Sequence, residues 1–256
     1  MRILITNDDG IQSPGLEALV KVLSPNHEVI VAAPASQQSA KSHAITVRER
    51  VYVDQYLPLQ EKYGVKALAI GGTPADTVKL YLEGILQEDP ALMPDLVISG
   101  INDGSNLGTD VIYSGTIGAA SEGYIHHIAA IAISLDYEAE ISFEYVAQEL
   151  AKHLPKLLAQ YEHKLLLNIN FPKKLNEEPQ WIWCTQGIRE YHNAYLEHHD
   201  EDGRLYYLVG GTPRDNGNNE FSDIVANLQG HITVTPLSLD RTKVKFLASR
   251  KGKILE

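Results

Sequence analysis

Six short apolar runs, most of them followed by a helical pattern, constrain this chain more than any other feature. The runs fall at residues 2–6, 28–33, 65–70, 96–99, 128–135 and 165–169. Leu16, Leu19, Val20 and Leu23 recur at helical spacing in 15–23, and Val146, Leu150, Leu154 and Leu157 do so in 143–161, where Pro155 marks a bend or the last turns. Thr73-Pro74-Ala75-Asp76 has the form of a helix start, with a Thr cap, Pro in the first turn and an acid three residues after the cap; Val78, Leu82 and Ile85 continue that helix. Continuous apolar strands alternating with helices predict an α/β fold, a mostly parallel sheet covered on both faces. Such sheets bind ligands at the carboxyl ends of their strands, near the point where strand order reverses.

Beyond Pro172 the pattern changes. Residues 181–184, 205–209, 231–234 and 244–247 read as strands without long helices between them. The expected division is a catalytic core over 1–180 and a β-rich C-terminal extension over 181–256 that reaches a partner subunit.

The chain has 22 basic and 33 acidic residues, a formal charge of −11. That balance argues against coating nucleic acid, which calls for a basic patch. A small anion remains possible where a metal ion and backbone amides hold it. A single cysteine, Cys184, excludes an intrachain disulfide and a cysteine zinc cluster. The first apolar run stops at Asn7-Asp8-Asp9, too short for a signal peptide, and no run approaches the roughly 20 residues that span a bilayer. A cytoplasmic protein without membrane contact is expected.

Chemistry-bearing residues gather just after the strands. Asp8 and Asp9 follow the first one; Asp-Gly is a common turn pair, but two carboxylates at a turning strand end can aim at one ion. The sequence there, NDDGIQSPG, is not a G-x-G-x-x-G dinucleotide fingerprint. The second strand runs into a polar loop, ASQQSAKSH, on the same rim. The fourth enters a loop with five glycines between Gly100 and Gly118, against about 1.4 expected at a usual frequency of roughly 7%. Tyr113-Ser114-Gly115-Thr116 precedes an Ala-rich helical stretch, and successive amides at such a start form an anion site. Asn102 and Asn106 in this loop offer neutral oxygens, and with two carboxylates they suit Mg²⁺ or Mn²⁺ better than Zn²⁺.

These residues stand in longer blocks: ILITNDDGIQSPGLEAL, SHAIT, GTPAD, DLVISGINDGSNLGTDVIYSGTIGAASEG, LNINFP and GHITVTPLSLD. From Met1 to about Asp240 the chain resembles the SurE (survival protein E) family of metal-dependent nucleotidases. The resemblance implies a Rossmann-like core, an oligomerising C-terminal arm and a homodimer or homotetramer. It implies hydrolysis of nucleoside monophosphates, chiefly 5′, with 3′-nucleotides and polyphosphate as further substrates. One divalent ion per subunit, Mg or Mn, falls on Asp8, Asp9, Ser39 and Asn102, with Asp8, Asp9 and Asn102 as the catalytic set. The phosphate-binding segment falls on Asn106, Ser114, Gly115 and Thr116. Ala40 stands where the family commonly has Gly, Thr77 follows GTPAD where it has Cys, and Leu208 replaces a Trp in the tail.

The sequence names no general acid beyond the weak choices Asp103 and His231. Rival readings are an Asp-nucleophile phosphatase, disfavoured because residue 10 is Gly rather than an acid, a non-catalytic metal-dependent nucleotide sensor, and a purely structural oligomer.

Overall fold

The computed structural model describes residues 1–86, 90–159, 165–215 and 217–244. In chain order the strands are β1 (Arg2–Thr6), β2 (Glu28–Pro34), β3 (Val53–Gln55), β4 (Lys66–Ile70), β5 (Leu96–Asp103), β6 (Ala129–Leu135), β7 (Leu166–Phe171), β8 (Trp181–Trp183), β9 (Glu190–His192), β10 (Tyr195–His199), β11 (Leu205–Val209), β12 (Thr212–Arg214) and β13 (Ile232–Pro236). The helices are α1 (Pro14–Leu23), α2 (Leu57–Tyr63), α3 (Pro74–Lys79), α4 (Gly115–Ile125), α5 (Phe143–Leu158) and α6 (Asp223–Leu228).

Among the described residues, nine strands form one sheet in the order β3-β4-β2-β1-β5-β6-β7-β13-β8. The strands from β4 across to β7 pair in parallel, while β3 and β13 pair antiparallel with β4 and β7. Strict alternation divides each strand between two cores, because successive side chains point to opposite faces. Ile3, Ile5, Val29 and Val31 pack with Leu16, Leu19, Val146 and Leu150 on the face covered by α1 and α5. Leu4, Ile30, Ala32 and Val97 pack with Val78, Tyr81, Ile117 and Ala120 on the face covered by α3 and α4. Both sides being apolar explains why these strands read as unbroken hydrophobic runs.

The chain leaves β1 for β2 and β4 on one side, then crosses to β5 on the other side of β1. The reversal therefore lies between β1 and β5, the crevice where such sheets take ligands. The helix starts agree with the sequence: Thr73 and Asp76 form a reciprocal capping box at α3, and Ser13, Ser114 and Ser142 cap α1, α4 and α5.

The structure corrects several expectations. The fourth strand runs on to Asp103, so Asn102 stands on β5 and not in the loop, after a register shift between Ser99 and Asn102. Helix α3 passes into a π-helical stretch, Leu80–Ile85. In the tail, β8 and β13 join the main sheet, with the short α6 packed against β13. Two separate pairs, β10–β11 and β9–β12, stand outside that sheet. His126 lies partly buried at the end of α4, 3.1 Å from Glu83. Residues 160–161 of the long helical pattern and 245–247 of the last expected strand lie outside the described residues.

Candidate active site

Asn7 organises the turn after β1. It is fully buried, and its Nδ2 donates to the Gly10 carbonyl (2.9 Å) and to Ser13 Oγ (2.7 Å), while the Gly10 N–H donates back to Asn7 Oδ1 (3.2 Å). Gly10 sits at φ +97°, a conformation that favours glycine, and a Cβ there would meet the Ser36 backbone at 3.2 Å. The turn thus ties the Asp8-Asp9 pair both to the start of α1 and to the loop after β2. That loop is fixed in return, because the Gln38 N–H donates to the Asp8 carbonyl at 2.7 Å.

Asp8 is buried and lies against the N-terminus of α4. Thr116 Oγ1 donates to Asp8 Oδ1 at 2.6 Å. A Cβ on Gly115 would come within 2.9 Å of Asp8 Cβ and 3.0 Å of Pro74 Cγ, so only glycine admits the carboxylate so close to the helix. Burial pushes the Asp8 carboxyl from 3.8 up to about 6; the Asp9 charge adds to the rise, and Thr116 opposes it. Asp9 stands one step further out and accepts the Asp103 N–H at 3.1 Å. Its carboxyl is also raised, by burial first and then by the Asp103 charge.

Asp8, Ser39, Asn102, Asn106 and Ser114 line one cavity of about 630 Å³. Asn102 commits its amide nitrogen to the Gly104 carbonyl at 2.6 Å, which leaves its oxygen as the free end of the amide. Ser39 Oγ accepts from Gln37 at 3.0 Å. Ser114 Oγ caps α4 by accepting the Ile117 N–H. Thr116, expected at the phosphate, donates its hydroxyl to Asp8. Asp103 also lines the cavity; His231 does not, and its Nδ1 accepts the Gln180 N–H at 3.3 Å.

Sequence reasoning missed the outer wall. Tyr113 and Tyr137 from the core meet Tyr191 and Tyr195 from the tail around the same cavity. The tail is held there by two clasps. Arg189 bridges Asp215 (2.9 and 3.1 Å) and Asp110 (3.2 Å), and Tyr191 OH also donates to Asp110 at 2.7 Å. The buried Asp223 accepts the N–H groups of Gly108 and Gly187. The contacts span 26 to 115 positions in the chain, and no local pattern carries them.

Among the described residues, three aspartates and no lysine or arginine line the cavity. The Tyr137 hydroxyl feels the same field: burial, then Asp103, Asp9 and Asp8, push its pKa upward. The available donors are carboxylate, hydroxyl and amide oxygens. No three His, Cys, Asp or Glu side chains converge as a metal cluster among the described residues, so an ion held here would need Ser and Asn oxygens as well. That all-oxygen set fits a hard divalent cation such as Mg²⁺ or Mn²⁺.

The family model for "Survival protein SurE" matches residues 3–193. This chain belongs to the SurE family. The "5′-nucleotidase SurE" of Carboxydothermus hydrogenoformans is 40% identical, with 98% of this chain and 95% of that protein covered. That of Thermosynechococcus vestitus is 42% identical, covering 94% and 92%. The crystal structure of the SurE protein from Aquifex aeolicus superposes with a TM-score of 0.80 at 35% identity, covering 98% of both chains.

Proposed function

We propose that this SurE protein is a divalent-metal-dependent phosphomonoesterase, a 5′-nucleotidase that converts nucleoside monophosphates to nucleoside and phosphate. One observation carries the reading. An acidic cavity, with no basic side chain among its described lining residues, opens at the switch point beside the glycine-rich start of α4. A phosphate dianion enters such a site only with a cation.

Asp8, Asp9, Ser39 and Asn102 would hold one Mg²⁺ or Mn²⁺ per subunit. When bound, the ion supplies positive charge to the phosphoryl oxygens and acidifies water for attack. Asn106, Ser114 and the Gly115 amide hold the phosphate where charge develops, with the helix start behind them. Thr116 acts beside them by fixing Asp8. The four tyrosines present aromatic faces to the base, and stacking of this kind is worth about 1–3 kcal/mol and tolerates any base. Among the described residues the cavity offers a single-stranded or duplex polymer no basic track to follow.

A substrate panel tests the reading: nucleoside 5′- and 3′-monophosphates, polyphosphate and p-nitrophenyl phosphate, each with Mn²⁺ or Mg²⁺. Phosphate release is expected to be highest for 5′-monophosphates and measurable for 3′-nucleotides and polyphosphate. Tight nucleotide binding with no phosphate release from any substrate would identify a sensor instead.

Assembly as a homodimer or homotetramer belongs to the same proposal. Every residue of β10 and β11 is exposed, including Tyr195, Tyr207, Leu208 and Val209, and such a hairpin calls for cover. Light scattering should give at least twice the 28.3 kDa chain mass; a monomer at micromolar concentration would refute it. Among the described residues no helix is long and apolar enough to cross a membrane; a cytoplasmic place of work belongs to the same proposal.

A further inference from the structure

Strand β7 carries a pattern that its position does not explain. Its sequence is LLNINF and every residue is buried. Leu167, Ile169 and Phe171 join the α1/α5 core. The opposite face reads Leu166, Asn168 and Asn170, and both asparagines are fully buried under the α4 layer. An amide in such a place costs several kcal/mol unless it is matched. The cross-strand neighbours of Asn170 are Ser134 and Thr233, and those of Asn168 are Ala132 and Thr235.

Most of the match comes from one residue, more than sixty positions earlier; Asn168 Oδ1 has no hydrogen-bond partner among the described residues. The Asn106 N–H donates to Asn170 Oδ1 at 2.7 Å. The Asn106 carbonyl accepts from Asn168 Nδ2 at 2.7 Å and from Asn170 Nδ2 at 3.2 Å. Both main-chain polar groups of Asn106, which lies in no helix or strand, are therefore held by the two asparagines. So fixed, the Asn106 side chain donates to Ser134 Oγ (2.9 Å) and reaches Thr116 Oγ1 (3.4 Å). Thr116 in turn donates to Asp8. Because Thr116 gives its only proton to the carboxylate, its oxygen can only accept from Asn106.

We propose that Asn168 and Asn170 are positioning residues for phosphoester hydrolysis. They hold the Asn106 main chain so that its side-chain amide, donating to Ser134 and Thr116, stands beside the phosphate site and aligns the Thr116 hydroxyl on Asp8. This rests on the proposed placement of Asn106 at the phosphate. The requirement for both asparagines follows from the division of labour: Asn170 takes the N–H, and the two share the carbonyl.

The test compares Asn168→Ala, Asn170→Ala and Asn106→Ala, singly and as the Asn106/Asn170 double variant. The readouts are kcat, KM, competitive inhibition by inorganic phosphate, Mn²⁺ binding by the free-ion EPR signal, and thermal melting. Asn170→Ala should lower kcat/KM by about 10²-fold, the scale of a small misplacement in an active site. Asn168→Ala, losing one bond of three, should lower it about tenfold. Phosphate inhibition should weaken in parallel while Mn²⁺ binding stays within about threefold of wild type, a difference of under 1 kcal/mol. In the Asn106→Ala background, Asn170→Ala should add little, since the two act through one group. Should Asn170→Ala fail to fold, Asn168→Ala decides alone. Folded variants with unchanged kcat/KM, or losses that add fully in the double variant, would overturn the proposal. Normal turnover in Asn106→Ala would remove the placement of Asn106 at the phosphate, and the inference with it.

Discussion

The Thr116 hydroxyl donates to Asp8 Oδ1 at 2.6 Å, joining the first turn of α4 to the end of β1 across 108 positions of sequence. Asp8 is buried and its pKa is already raised, so this bond does much to keep it ionised. Thr116→Val preserves shape and removes the donor. The loss of a hydrogen bond to a charged group is worth about 1.5–3 kcal/mol. The acid limb of the kcat/KM profile should therefore move to higher pH in Thr116→Val and stay in place in Thr116→Ser. An unmoved limb in both would show that Thr116 does not govern Asp8.

The metal-free protein should carry the mark of Asp8 in its pH stability. The folded carboxyl titrates near 6 against 3.8 for an unperturbed one. The folded state thus binds more protons between those values, and stability falls as pH rises through the window. Above it the loss amounts to about 3 kcal/mol. In EDTA at pH 7.5, Asp8→Asn should be more stable than wild type, and the difference should shrink towards pH 4. Urea midpoints at the two pH values measure this; a variant less stable at both contradicts the crowded-carboxylate account.

Ala40 lies at φ +57° in the loop that carries Ser39. An L-residue in the left-handed region costs about 1–2 kcal/mol, partly offset in glycine by its greater freedom when unfolded. Ala40→Gly should therefore stabilise the protein by about 0.5–1 kcal/mol, read from the denaturation midpoint. The departure from the common family glycine is then a strained loop rather than a lost ligand. No gain in midpoint would show that the loop relaxes elsewhere.

Gly115→Ala places a Cβ within 2.9 Å of Asp8 and 3.0 Å of Pro74. Asp8 must move, so Mn²⁺ affinity and turnover should both fall by at least tenfold, with the melting temperature changed by only a few degrees. Gly115→Val should be worse. Unchanged Mn²⁺ binding in a folded Gly115→Ala protein would place the ion away from Asp8.

The sequence disclosed the six central strands because each is buried on both faces and so is continuously apolar. It disclosed α1, α3 and α5 through their stripes and caps. Strand β3 and the tail strands β9, β10 and β12 escaped because they are short and exposed, with no core to impose a period. Asp8 and Asp9 could be chosen from their place after β1. Ser39 could not, since a serine in a polar loop has no local signature, and it entered only through the family resemblance. The tail tyrosines and the Arg189–Asp110 pair were invisible because they are tertiary facts. The Asn168–Asn170 alternation stood in plain sight, but its meaning depends on Asn106.

The central claim is that Asp8 anchors a divalent ion that lets an acidic cavity take phosphate. The most direct test is phosphate release from adenosine 5′-monophosphate by wild type and Asp8→Asn, in EDTA and across an Mn²⁺ titration. The account predicts release by the wild type only with Mn²⁺, loss in EDTA restored by added metal, and a folded Asp8→Asn protein that stays inactive at saturating Mn²⁺. Wild-type turnover that persists in EDTA, or near-normal turnover by Asp8→Asn, would contradict it.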